Sequence, residues 1–162
     1  MKLLFENWKQ YLNEATLSPQ NIKSLANGGL LMLSATYCGP CKVLKADLEK
    51  LGVSFYYVDL DKYPTQIWEK ALATIGVPAP LNQDGSPSAW SMIGPPFLIA
   101  FTIDGQHMMF QGKNLQAWKG GKNTWNSIPE ALKRQNPELS DEEAFKKAVT
   151  MIVSLTKGNM PS

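Results

Sequence analysis

Within five positions the chain passes from an unbroken apolar run, Leu30-Leu31-Met32-Leu33, to Cys38-Gly39-Pro40-Cys41. Apolar residues without alternation fit a strand buried on both faces. Proline is at home in the first turn of a helix. The segment therefore predicts a strand over 30–35 that hands over to a helix over 38–51, with the cysteines at the joint. Cys38 and Cys41 are the only two cysteines of the 162 residues. With Cys38 at the helix start, the free N–H groups and the helix dipole favour a thiolate there. Cys41, one turn on, is placed to attack a mixed disulfide. One acidified and one resolving thiol are the minimum machinery for thiol–disulfide exchange. Zinc would need further ligands, and His107 is the single histidine in the chain. A permanent structural disulfide would close a very short loop and constrain the unfolded chain little. The pair is therefore read as a redox dithiol ahead of either alternative, with no metal and no cofactor.

Around this joint the pattern extends in both directions. Leu4, Trp8, Tyr11 and Leu12 share one face of an expected helix over 3–14. Ser18-Pro19 opens a second helix, which Asn27-Gly28-Gly29 ends. Val43, Leu44, Leu48 and Leu51 form the expected inner face of the helix after Cys38, and Gly52 closes it. A strand over 53–60 follows, then a helix opened by Tyr63-Pro64 and closed by Gly76. Residues 77–95 form a long Pro/Gly/Ser-rich loop, of the kind that tends to carry function. Phe97 begins a strand over 97–103, and Asp104-Gly105 turns it into a second strand over 106–111. Gly120-Gly121 breaks the chain. Helices are expected over 128–135 and after the capping box Ser140-Asp141-Glu142-Glu143, the last one ending at Gly158.

The order strand–helix–strand–helix–loop–strand–strand–helix, together with Ala35-Thr36-Tyr37-Cys38-Gly39-Pro40-Cys41-Lys42, resembles the thioredoxin family over about residues 30–112. Val58-Asp59-Leu60-Asp61-Lys62-Tyr63-Pro64 is similar to that family's second strand and its Pro-started helix. Pro96-Phe97-Leu98-Ile99-Ala100-Phe101 with Asp104-Gly105 is similar to its cis-proline, hydrophobic strand and hairpin. The resemblance implies an α/β fold with a central mixed sheet flanked by helices. Extra N-terminal helices over 3–26 and a C-terminal helical extension over 113–162 complete a single domain over 1–162. It implies Cys38 and Cys41 as the catalytic pair, with Tyr37, Gly39, Pro40 and Pro96 shaping the site. Either Pro96 or Pro95 would be the cis residue, facing Cys38. Pro95 has no N–H to offer a bound substrate strand. Met32 stands where thioredoxins carry a buried aspartate, and Tyr57 where they often carry a lysine. Both charged helpers of proton transfer are missing at those positions. Trp90 and Met92, near the end of the 77–95 loop, are candidates for a lid or a substrate-selecting wall. Trp90 is equally readable as an anchor for the loop.

The implied activity is that of a protein thiol–disulfide oxidoreductase. Its partners would be disulfide-bearing proteins and a reductase or small thiol for recycling. The Gly-Pro spacer resembles that of thioredoxins, whose potential is about −270 mV, so a reductant is expected. A net charge of +2 without a Lys/Arg run gives no ground for a nucleic-acid partner. No apolar stretch approaches membrane-spanning length. The opening Met1-Lys2-Leu3-Leu4-Phe5-Glu6 meets charge too early for a secretory signal, which favours the cytoplasm. The alternative function is a binding module on the same fold, docking a partner through Trp118, Trp125 and the last helix. Residues 3–14 are also similar to the leaders of some internal head proteins of tailed bacteriophages. Leu12-Asn13-Glu14-Ala15 would be the cleavage signal, against an amphipathic helix as the plainer account. His107 is expected as a surface or edge-strand residue without a catalytic role.

Overall fold

A computed structural model describes residues 22–62 and 64–156. The helix expected over 3–14, the Ser18-Pro19 start, the 12–15 cleavage signal, Tyr63 and Gly158 lie outside the described residues.

Six strands form one sheet in the order β2-β1-β3-β4-β5-β6. Strand β1 (Gly29–Ser34) is buried at every position, as its unbroken apolar run requires. It runs into α1 (Gly39–Lys50), which returns the chain to β2 (Tyr56–Asp59). The β1–β2 pair is parallel, with Leu31 opposite Tyr56 and Met32 opposite Tyr57. Helix α2 (Thr65–Thr74) then crosses to the other face. Strand β3 (Phe97–Phe101) lies antiparallel on the far side of β1, with Leu31 opposite Ile99. The Asp104-Gly105 turn leads into the antiparallel β4 (His107–Gln111). A parallel βαβ unit joined through a helix to an antiparallel hairpin, in the order β2-β1-β3-β4, is the thioredoxin-like arrangement that the sequence implies.

The sheet separates two apolar layers. On one face Leu31, Leu33, Phe97 and Ile99 pack against Ile22, Leu25, Trp68, Leu72 and Trp90. On the other, Leu30, Met32, Leu98 and Phe110 pack against Cys41, Leu44 and Leu48 of α1 and Ala148, Val149 and Ile152 of the last helix. Alternation along β1 sends successive side chains to opposite layers, so one short strand holds both cores together. Val43, expected inside, is 49% exposed; the buried face of α1 is Cys41, Leu44 and Leu48, one turn apart.

Two expectations are corrected. The segment after 113 is not helical throughout. Strands β5 (Gln116–Lys119) and β6 (Lys122–Ser127) extend the sheet, and Gly120-Gly121 is the turn of a hairpin between them. Both glycines take positive φ, +61° and +79°, as a two-residue turn of this hand demands. Only then do α3 (Ile128–Gln135) and α4 (Asp141–Ser154) follow, each capped by a serine, Ser127 and Ser140, that accepts a backbone N–H of the first turn. The 77–95 loop also has structure. Leu81 and Pro87 form an isolated bridge, and Trp90–Ile93 makes a single helical turn. The segment before β1 is a 3-10 helix over Ile22–Asn27. No helix of the described residues is long and apolar enough to cross a membrane.

Candidate active site

Strand β1 and helix α1 meet at the cysteines. Cys38 is the N-cap of α1, one position before its first helical residue, with φ −90° and ψ 109°. The Cys41 backbone N–H donates to Cys38 Sγ at 3.1 Å, so sulfur takes the role that a serine oxygen plays at other caps. The two thiols are joined in a disulfide, with Cα atoms 5.3 Å apart. Cys38 keeps 6% of its surface accessible and Cys41 1%, so an attacking group meets Cys38 first. Gly39 and Pro40 are exposed beside it, and Tyr37 is 71% exposed, standing out into solvent.

The facing wall comes from the segment that enters β3. The Pro95–Pro96 peptide is cis, which places the cis residue at Pro96. Cys38 Sγ lies 3.5 Å from the Pro95 carbonyl oxygen. The structure thus brings together Cys38, Cys41, Pro40, Pro95 and Pro96, which are scattered over the sequence.

Trp90 does not join them. It is 0% exposed in the core, edge-on to Phe97 at 4.9 Å and 6.5 Å from the Trp118 ring. The substrate-contact and lid readings of Trp90 are corrected accordingly: it anchors the loop, because an indole gains far more from burial than a loop tip can return.

Met32 is fully buried in the same layer as the two cysteines. Tyr57, its cross-strand partner, donates its hydroxyl proton to Ser34 Oγ at 2.9 Å, and Lys45 Nζ stands 4.4 Å from the Tyr57 ring centre. Met32 and the two cysteines therefore share one apolar layer, against which stand the Tyr57–Ser34 hydroxyl pair and Lys45. Above it, Thr36 is clamped: its backbone N–H donates to Asp61 Oδ1 at 3.1 Å and its hydroxyl donates to Asp61 Oδ2. The Thr36 hydroxyl is the main cause that holds the Asp61 carboxyl below its ordinary value of 3.8. This clamp fixes the turn between β1 and Cys38.

Sequence reasoning missed the residues that brace the facing wall. Gln111, at the end of β4, donates Nε2 to the carbonyls of Ile93 at 3.1 Å and Gly94 at 2.8 Å. Its Oε1 accepts from Trp118 Nε1 at 3.1 Å and Asn123 Nδ2 at 2.7 Å. One amide therefore ties the β5–β6 hairpin to the residues just before Pro95. The available signal was Gly120-Gly121 between two strand-length runs, a hairpin signature.

No protein-family model matches the chain, and no curated protein matches it. Among solved structures, it is similar to a thioredoxin of Fasciola hepatica, with 24% identity over 62% of this chain and 86% of that one, at a TM-score of 0.36. It is similar to a thioredoxin of Malassezia sympodialis, with 21% identity over 62% and 81%, at a TM-score of 0.39. It is also similar to the holo form of glutaredoxin C1 from Populus tremula x tremuloides, with 21% identity over 94% and 99%, at a TM-score of 0.39. At such identities and TM-scores the fold assignment rests on the strand order and connections described above.

Proposed function

We propose that the chain is a protein thiol–disulfide oxidoreductase that works as a reductant. The observation that carries this is the disulfide-linked Cys38–Cys41 pair at the N-terminus of α1, with Cys38 the less buried residue of the two, 6% exposed against 1%. In the reduced form the Cys41 N–H and the first-turn amides face Cys38 Sγ and favour its thiolate. That thiolate attacks one sulfur of a substrate disulfide. A mixed disulfide forms, and the first substrate thiolate leaves. The Cys41 thiol, losing its proton to water or to the departing thiolate, attacks Cys38 Sγ and expels the second substrate thiolate. Two electrons pass to the substrate, and the 38–41 disulfide remains. A disulfide reductase or a small thiol returns two electrons to it, in a compartment that keeps thiols reduced.

Slow resolution is expected, because Met32, which shares the buried layer of Cys41, cannot take its proton. Cys41→Ser should accumulate a covalent mixed disulfide with the substrate, and Cys38→Ser should form none. Non-reducing electrophoresis after incubation with a disulfide-bearing protein reads this directly. A partner held without covalent capture, and retained in both variants, would instead establish the binding-module reading.

A further inference from the structure

A cavity of about 460 Å³ opens beside the dithiol. Pro40, Pro95 and Pro96 border it on the site side; Trp125, Asn123 and Gln116 border it from the hairpin. Its volume exceeds what the reacting cysteine of a substrate fills.

Trp125 is placed here at a conformational cost. In the β5–β6 ladder Gln116 pairs with Ser127 and Trp118 with Asn123. Ala117 alone therefore faces Thr124, Trp125 and Asn126. Such a bulge re-aims a side chain, and bulges gather next to active sites. Trp125 sits at φ +61°, a region that bulky side chains rarely adopt. Its N–H donates to Asn123 Oδ1 at 2.6 Å, while Asn123 Nδ2 donates to Gln111 Oε1 and, at 3.0 Å, to Gln116 Oε1. The same amide network that holds Gly94 thus holds Trp125. Trp125 remains 66% exposed, so burial in the free protein does not repay the strained backbone. Strain of this kind persists where the surroundings impose it, and it clusters at binding sites.

The site side of the cavity is short of donors. Pro40, Pro95 and Pro96 carry no N–H, and the Pro96 carbonyl already accepts from the Gly112 N–H at 2.9 Å, so a strand docking there does not find the partners of a full ladder. Side chains must supply the grip that the backbone cannot.

Resting on the oxidoreductase reading above, we propose that Trp125 is the specificity-determining contact for an extended polypeptide substrate. It packs on a large apolar side chain within a few residues of the attacked cysteine. A small disulfide such as oxidised glutathione lacks such a side chain and would leave the indole uncovered.

The test uses two synthetic peptide disulfides, identical except for Leu or Ser two residues from the cystine. Trp125→Gly removes the ring and suits the positive φ, so the hairpin should keep its shape; a thermal melt confirms this. The unsubstituted protein is expected to favour the Leu peptide in kcat/KM by about tenfold, the worth of one buried apolar contact. Trp125→Gly should lose that preference through KM, and Trp125→Phe should keep most of it. Equal kcat/KM for the two peptides in the unsubstituted protein, or an undiminished preference in Trp125→Gly, overturns the proposal and leaves the oxidoreductase reading intact. Reduction of neither peptide by the unsubstituted protein overturns that reading, and this one with it.

Discussion

Replacing Gln111 by leucine removes a single amide that makes four hydrogen bonds, to Ile93, Gly94, Trp118 and Asn123. Each bond is worth roughly 1 kcal/mol net, and a partner left buried and unpaired costs about 1–3 kcal/mol. Asn123 keeps its bond to Gln116, and the half-buried setting lets water reach some of the orphaned carbonyls. The expected loss is therefore about 2–3 kcal/mol rather than the full sum. At this chain length that corresponds to a fall in Tm of roughly 5–10 °C. Urea denaturation should show a lower midpoint at an unchanged slope, since the area exposed on unfolding hardly alters. The wall before Pro95 should loosen with it, so kcat/KM toward a protein disulfide should fall together with stability. Gln111→Glu separates the two halves of the amide. It keeps acceptors for Trp118 and Asn123 but turns a negative oxygen toward the Ile93 and Gly94 carbonyls, and should cost at least as much. A Gln111→Leu loss below about 0.5 kcal/mol, the scale of an ordinary surface change, would refute the claim that this amide braces the site.

Trp90 and His107 offer independent checks. Trp90→Ala should cost about 3–5 kcal/mol in urea denaturation, as large core truncations do. Among the described residues Trp90 Nε1 has no hydrogen-bond partner although it is buried. Trp90→Phe therefore sheds an unpaired donor and should stay within about 1.5 kcal/mol of the parent. Burial lowers the His107 pKa below its ordinary 6.5, beside the Phe101 ring at 6.2 Å. The unfolded chain then takes up a proton that the native chain resists. Stability is complete above pH 6.5 and declines as pH falls through that value toward the lower native pKa. Tm measured from pH 8 to pH 5 should show this decline, and His107→Gln should flatten it.

Thioredoxin-like topology was readable because its determinants are local. An unbroken apolar run, a proline-started helix and an Asp-Gly turn each specify their own element, and short connections then leave few ways to assemble them. Helix α3 and the Ser140 cap fell where the pattern placed them for the same reason. The β5–β6 hairpin escaped because its strands are polar and half-exposed: Gln116, Lys119, Lys122, Asn123 and Asn126 carry no apolar alternation. What holds them is pairing with the edge of β4 and the Gln111 amide, which no window of sequence contains. Trp90 was ambiguous for a similar cause, since a tryptophan in a loop is equally a lid or an anchor until its neighbours are known.

The cysteine pair and its place at a strand–helix joint were legible in the chain, because spacing along one helix turn is a local property; the proline opposite came only as what the family resemblance implies, with Pro95 and Pro96 both open, and the structure places the cis bond at Pro95–Pro96. Packing across the sheet set how deeply each cysteine is buried, what shares its layer and which residues line the cavity that Pro40 and Pro95 border. Accessibility, the Met32–Tyr57 neighbourhood and the presentation of Trp125 all arise where elements distant in sequence pack together, and packing is fixed by the whole sheet at once.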